Sequence, residues 1–352
     1  MLHILAWLSV VALVSVLLGW LYQELETRRD RERFPPPGRL IDIGSHRLHI
    51  LELGSRGPTV VLEAGLMSTV LSWDSLQREL AQSYRVVSYD RAGLGWSELG
   101  PMPRTADRIA AELHTLLHRA GVLPPYVLVG HSFGGLTVPL FAARFPEETV
   151  GMVLVDPVAP MEWNPPSEHD RSLTRIGAMI CRRAALLSRV GFLRVVSFLL
   201  ATRLKNVAAV LVRLISRGAP TDAGSVSSPW FSALPAKERQ MTAVFWVQRK
   251  FALTIASQLE NLPASAAQTA QLDALDKPVV ILSAGTAPEK RRRGHAAMAA
   301  RLALGDYVLA DQSNHWIMQC QPEVVIRAIQ KVAAHSAERP DGSFAISVSS
   351  SD

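Results

Sequence analysis

Cysteine is nearly absent: the 352 residues contain two, Cys181 and Cys320. They lie far apart in no metal-type or redox-type spacing, so neither a zinc site nor a disulfide framework follows from them. No cofactor and no metal are expected. The chain also lacks a P-loop lysine and a GxGxxG fingerprint, which argues against nucleotide binding. A net charge of +6 raises the question of nucleic acid, yet no binding motif or stacking platform accompanies it. An anionic membrane surface is the remaining destination for such charge.

Charge is missing altogether from Leu2 to Tyr22, which holds no Lys, Arg, Asp or Glu. About 20 residues at ~1.5 Å each match the ~30 Å hydrocarbon core of a bilayer. No basic stretch precedes this run and no small-x-small site follows it, so it reads as a single-pass anchor rather than a cleaved leader. Trp20 and Tyr22 fall where an interfacial aromatic belt sits, and Arg28, Arg29, Arg31 and Arg33 follow. By the positive-inside rule the rest of the chain then faces the cytoplasm.

Beyond Pro35 the pattern changes to short strands. A hairpin is expected at Arg39 to Ile43 and His46 to Leu53. Apolar strands then alternate with helical stretches: Thr59 to Leu62, Arg85 to Tyr89, Tyr126 to Val129 and Val150 to Val155 are strands. Helices are expected near Ser75 to Ala81, Thr105 to Ala120 and Phe133 to Arg144. The alternation resumes with strands Pro278 to Ser283 and Tyr307 to Ala310, and helices over Glu289 to Leu304 and Pro322 to Ala334. This is the signature of an α/β fold with a mostly parallel central sheet flanked by helices. The resulting division is an anchor at 1–23, a linker at 24–38, a core at 39–156 and 277–336, a helical insertion at 157–276 and a flexible tail at 337–352.

The insertion is poor in acid. Ten basic residues and no Asp or Glu lie between Arg171 and Arg217, interleaved with apolar runs such as Val195 to Ala201 and Val207 to Val212. Such a segment suits an anionic bilayer surface; the plain alternative is a helical lid with a solvated arginine face.

Chemistry enters at Gly130-His131-Ser132-Phe133-Gly134, a GxSxG sequence preceded by an apolar strand and followed by a helical pattern. A serine in a strained turn with its hydroxyl projecting needs small residues two positions before and after it. Ser132 is thus the candidate nucleophile. His315 follows a late strand and precedes the final helix, where a base leans back over the turn. His131 is fixed beside the nucleophile, His295 lies in a charged helix and His335 near the chain end. For the acid, Asp156 ends the strand after the nucleophile, at the carboxyl edge where sites of open α/β sheets assemble. Glu289, behind Pro288 after the next strand, competes with it; Asp156 is favoured. The amides of Phe133 and of Leu66, in Glu63-Ala64-Gly65-Leu66-Met67, are the candidate oxyanion donors. Asp90-Arg91-Ala92-Gly93-Leu94-Gly95-Trp96-Ser97 reads as a structural turn.

Together, Glu63-Ala64-Gly65, the Asp90 to Ser97 stretch, Gly130 to Gly135 and Asn314-His315 resemble the α/β-hydrolase superfamily, over about Arg39 to Ala334 apart from the insertion. The resemblance implies a Ser-acid-His triad and a lid at the insertion. Members with an Asp nucleophile, such as haloalkane dehalogenases and epoxide hydrolases, are set aside because position 132 is Ser. Two departures stand out: the oxyanion loop lacks the common His-Gly pair, and no Asp follows the penultimate strand, as in the subset that moves the acid to the position of Asp156.

The expected function is a serine hydrolase cleaving a carboxylic ester, lipophilic or anionic-lipid in character, through an acyl-enzyme on Ser132. An acyltransferase or carbon-carbon bond hydrolase on the same residues, and a non-catalytic binding protein that kept the fold, are the alternatives. Fold alone does not choose among them.

Overall fold

Five strand sequences dictate the centre of the molecule. Thr59–Glu63 (β3), Arg85–Tyr89 (β4), Tyr126–His131 (β5), Thr149–Val155 (β6) and Val279–Ala284 (β7) are rich in β-branched residues and almost wholly buried. A strand apolar on both sides is stable only with a layer over each face of its sheet. The computed structural model, which describes residues 2–201, 231, 234–270 and 276–337, shows that arrangement. With Arg39–Asp42 (β1), Arg47–Leu53 (β2) and Gly305–Ala310 (β8), the strands form one eight-stranded sheet in the order β1-β2-β4-β3-β5-β6-β7-β8. The β1-β2 hairpin is antiparallel and β2 runs antiparallel to β4; every pairing from β4 to β8 is parallel.

Alternate strand residues feed the two layers. On one face Leu128, Leu154 and Ile281 pack with helices Ala106–Ala120 (α3) and Gly134–Arg144 (α4). On the other, Val127, Val129, Val153 and Leu282 meet Asp74–Leu80 (α2) and the last helix, Pro322–Ala337 (α11). Local signals set the helix ends. Thr105 accepts the Arg108 amide at the start of α3, and Gly121, at φ 72°, closes it in a left-handed conformation that costs glycine nothing.

Between β6 and β7 the described residues are helical: Glu168–Leu187 (α5), Phe192–Ala201 (α6), Ala236–Trp246 (α7), Arg249–Glu260 (α8) and Leu262–Ala270 (α9). After β7 comes Glu289–Ala300 (α10), which ends one turn earlier than the helical pattern to Leu304 implied. Val207 to Val212, Arg203, Lys205, Arg213, Arg217 and the tail from Ser343 to Asp352 lie outside the described residues.

The linker expected at 24–38 is corrected in its first part. The N-terminal helix (α1) runs from Leu2 to Arg33, so residues 24–33 are helix. No proline intervenes before Pro35, and Arg29 bonds Glu26 one turn away at 2.5 Å. Arg194, at the start of α6, then ties this stretch to the insertion: it donates to Gln23 at 3.0 Å, Thr27 at 3.3 Å and Asp30 at 2.6 Å. A linker would have left those groups in water; the insertion uses them as a docking face.

Arg194 and Asp30 are both largely shielded, with side chains 10% and 13% exposed, so removing one strands the other. Arg194→Ala is expected to destabilise this junction by about 1–3 kcal/mol. Hydrogen exchange over residues 188–198 should accelerate while the amides of β5 and β6 hold their protection; unchanged exchange at the junction would contradict the assignment.

Candidate active site

Register brings four strand ends level. Glu63 pairs with Gly130, Gly130 with Leu154, and Val155 with Leu282. The residues at or just past those ends, Gly65 and Leu66, Ser132, Asp156 and Ala284, therefore stand along one edge of the sheet.

Ser132 turns the chain from β5 into α4 at φ 52°, a left-handed conformation that costs a residue with a Cβ about 1–2 kcal/mol. Surrounding hydrogen bonds hold it there. The Ser132 amide donates to the Val155 carbonyl, and the Ser132 carbonyl accepts from Gly135 and Val158, all at 3.0 Å. Only glycine fits on either side: a Cβ on Gly130 would meet the Gly134 carbonyl oxygen at 2.6 Å, and one on Gly134 the Glu63 carbonyl oxygen at 2.7 Å. Ser132 itself is half-buried.

Asp156 ends β6 at φ 40° and is fully buried. Its amide donates to the Leu282 carbonyl at 2.8 Å, its Oδ1 accepts from the Ala284 amide at 3.1 Å, and its Oδ2 accepts from His315 Nδ1 at 2.5 Å. Burial pushes this carboxyl up, but the hydrogen bond and charge of His315, then the Ala284 amide and His295, outweigh it and hold the group below its usual range. With Nδ1–H committed to Asp156, the lone pair of the neutral His315 ring sits on Nε2. The loop after β8 that carries His315 is fixed by Gly285 donating to Ala310 at 2.8 Å, Thr286 to Ser313 at 3.1 Å, and Trp316 to the Asn314 side chain at 2.8 Å.

The structure thus brings Asp156 onto His315 beside the Ser132 turn. It does not bring Glu289 there: that residue opens α10, is largely exposed and pairs with Arg293 one turn on. The Ser132 hydroxyl makes no hydrogen bond to His315 among the described residues, a contact that commonly tightens only with substrate in place. Gly65 lies against the nucleophile; a Cβ there would stand 3.1 Å from Ser132 Cβ. Among the described residues the amides of Leu66 and Phe133 have no acceptor within the chain, and Phe133 stands at the positive start of α4.

Three residues matter here that the sequence did not single out. His131, fully buried, has its pKa lowered well below normal by burial and then by His315, so it is neutral. Its Nε2–H donates to the His315 carbonyl at 2.9 Å, with the two rings 4.6 Å apart. His295, in the arginine-rich α10, is likewise buried: its Nε2–H donates to the Pro157 carbonyl at 2.9 Å and its Nδ1 accepts from Ser283 at 2.6 Å. Its only sequence signal is the four-residue spacing to Ala299, the other buried position of that helix. Arg91 donates to the Gly65 carbonyl and stacks 5.1 Å over the Phe133 ring. The glycine-containing turn that bears it closes on Asp90, whose carboxylate accepts from His49 and Val70 at 2.9 Å and from Trp96 at 3.2 Å. Among the described residues no group of three His, Cys, Asp or Glu side chains is placed to hold a metal ion.

Known proteins share this architecture. A family model described as alpha/beta hydrolase fold matches residues 58–178. The uncharacterized protein YqjL of Bacillus subtilis is 40% identical over 104 residues, covering 30% of this chain and 41% of that one. An AB hydrolase superfamily protein of Gibberella zeae is 40% identical over 103 residues, covering 28% and 32%. The chain thus spans less than half the length of these two relatives. A thermophilic esterase from Thermogutta terrifontis superposes with a TM-score of 0.58 over 83% of this chain and 96% of that one, at 21% identity. The sheet order, the turn at Ser132 and these matches together show that the chain has the α/β-hydrolase fold.

Proposed function

We propose that the chain is a serine hydrolase acting on a carboxylic ester, tethered to a membrane by α1. The 2.5 Å bond between Asp156 and His315, set beside a serine at positive φ, carries this reading. In the proposed reaction His315 Nε2 takes the Ser132 proton as Oγ attacks the ester carbonyl carbon, and Asp156 stabilises the imidazolium. The same proton passes to the leaving alkoxide as the carbon-oxygen bond breaks. Water then repeats the attack on the acyl-enzyme, releasing the acid and restoring Ser132. The resemblance to the Thermogutta esterase fits an ester substrate. A lipophilic one fits α1, whose apolar part has a mean hydropathy of 2.4, and the exposed Leu186, Val195 and Phe198 of the insertion.

The developing oxyanion is received by the Phe133 and Leu66 amides. The Gly65 carbonyl and the Leu66 N–H belong to one trans peptide and point in opposite directions. Arg91, by binding that carbonyl, aims the N–H at the substrate and polarises it. Arg91 is a positioning residue in this scheme.

A fluorophosphonate probe applied to detergent-solubilised protein should label the wild type, and not Ser132→Ala or His315→Ala. Turnover of a medium-chain ester should fall by on the order of 10³–10⁴ in Asp156→Asn and stay unchanged in Glu289→Gln. An unlabelled wild type would return the chain to the non-catalytic reading, and acyl products on added alcohol would make it a transferase.

Replacing Arg91 by Met should lower kcat by about tenfold to a hundredfold, less than the loss of an oxyanion donor itself, with KM nearly constant. Arg91→Lys should restore part of it. Equal rises in KM with kcat intact would show that Arg91 serves only packing.

A further inference from the structure

A cavity that Ser132 does not line lies where α1 meets the body of the protein. Its volume is about 820 Å³, and it runs along α1 from Trp20 to Arg31, roughly 16 Å of helix. The opposite wall is the turn after β4, the one-turn helix Ser188–Val190 and the start of α8.

Its charge is unbalanced. Of its acids, Glu98 is taken by Arg47 at 2.6 Å and Asp30 by Arg194 at 2.6 Å. Arg31, Arg189 and Arg249 have no carboxylate partner among the described residues, and Glu24 is the one acid left to face them. Lys250 adds a fourth cation, its ammonium resting on the carbonyls of Gly95 at 2.6 Å and Ser97 at 2.7 Å. Three arginines that line one cavity without carboxylate partners favour an anion, and their planar donors suit phosphate.

The cavity also has a fixed height relative to the apolar helix. Gly19 packs so closely that a Cβ there would meet the Val190 carbonyl oxygen at 2.6 Å, and one on Gly191 the Tyr22 ring at 2.8 Å. Residues 190–191 of the insertion therefore sit level with Gly19 to Tyr22, the end of the uncharged run. Leu186, Val195 and Phe198, within eight residues of that contact in the chain, are exposed and add apolar surface to the insertion. A ligand entering here arrives from an apolar boundary, with its anionic end among the arginines.

The geometry points to this cavity as a binding site for the phosphate headgroup of an anionic membrane phospholipid. The assignment rests on α1 crossing a bilayer; it does not depend on the chemistry at Ser132. A bound headgroup clamps α1 to the insertion and holds the basic face of the protein on the membrane.

Full-length protein in mild detergent, incubated with phosphatidylglycerol or phosphatidylcholine and examined by native mass spectrometry, tests this. The wild type should retain one phosphatidylglycerol per chain and discriminate against phosphatidylcholine. Arg31→Gln/Arg189→Gln/Arg249→Gln should weaken retention by on the order of a hundredfold, each cation near an anionic headgroup being worth a factor of about five. Arg293→Gln, on the far α10, should retain it. Arg249→Gln alone, with an unaltered melting profile, guards against misfolding of the triple variant and should weaken retention about fivefold. Equal retention of the two lipids, or full retention by the folded variants, overturns the site. Displacement of the lipid by millimolar inorganic phosphate would make it a soluble-phosphate site instead and overturn the membrane assignment.

Discussion

A serine held at φ 52° between β5 and α4 tolerates no Cβ two residues before it or two after, because the chain doubles back on itself within van der Waals distance. That steric constraint organises the rest of the site. It orients the Ser132 carbonyl to accept from both Gly135 and Val158, so the start of α4 and the segment after Asp156 are fixed by the same oxygen. It also leaves the Phe133 amide free at the positive end of α4. The strain is sustained by β-strands buried on both faces, which cannot relax without exposing the core.

The imidazole is placed by a chain of supports that converge from different parts of the sequence. His315 is held through its ring by Asp156 and through its backbone by His131. Asp156 is held by β7, and the residue after it by His295 from α10. Burial keeps both His131 and His295 neutral, so each donates one N–H to a carbonyl and adds no positive charge beside His315. A protonated neighbour would repel the imidazolium that the proposed mechanism forms.

The insertion and α1 form a second unit of organisation, built on polar contacts where the sheet is built on apolar ones. Arg194 reads three successive groups on one face of α1, and Arg182 pairs with Glu260 at 2.5 Å to join α5 to α8. Part of the basic excess noted in the insertion is therefore internal to the fold. Another member of it, Arg189, lines the cavity beside α1 together with Arg31 of α1 and Arg249 of α8.

The α/β class, the strand order along the chain and the turn at Ser132 were legible in the sequence because each rests on local chemistry: β-branched runs, helical spacing and glycines where a Cβ cannot fit. The candidate base was legible for a related reason, His315 being placed directly after a strand. Three things were not. The helical character of residues 24–33 was missed because linker and helix read alike in a charged segment, and the Arg194 contacts to Gln23, Thr27 and Asp30 come from some 165 residues away. For the acid the sequence favoured Asp156 but kept Glu289 as a rival, because either could follow a strand; tertiary packing buried one against the imidazole and turned the other toward Arg293 in solvent. Arg91, His131 and His295 carried little signal of their own, since each reaches toward the site through a bond to a backbone carbonyl oxygen. Carbonyls are the same in every residue, and only the folded chain decides which one a side chain meets.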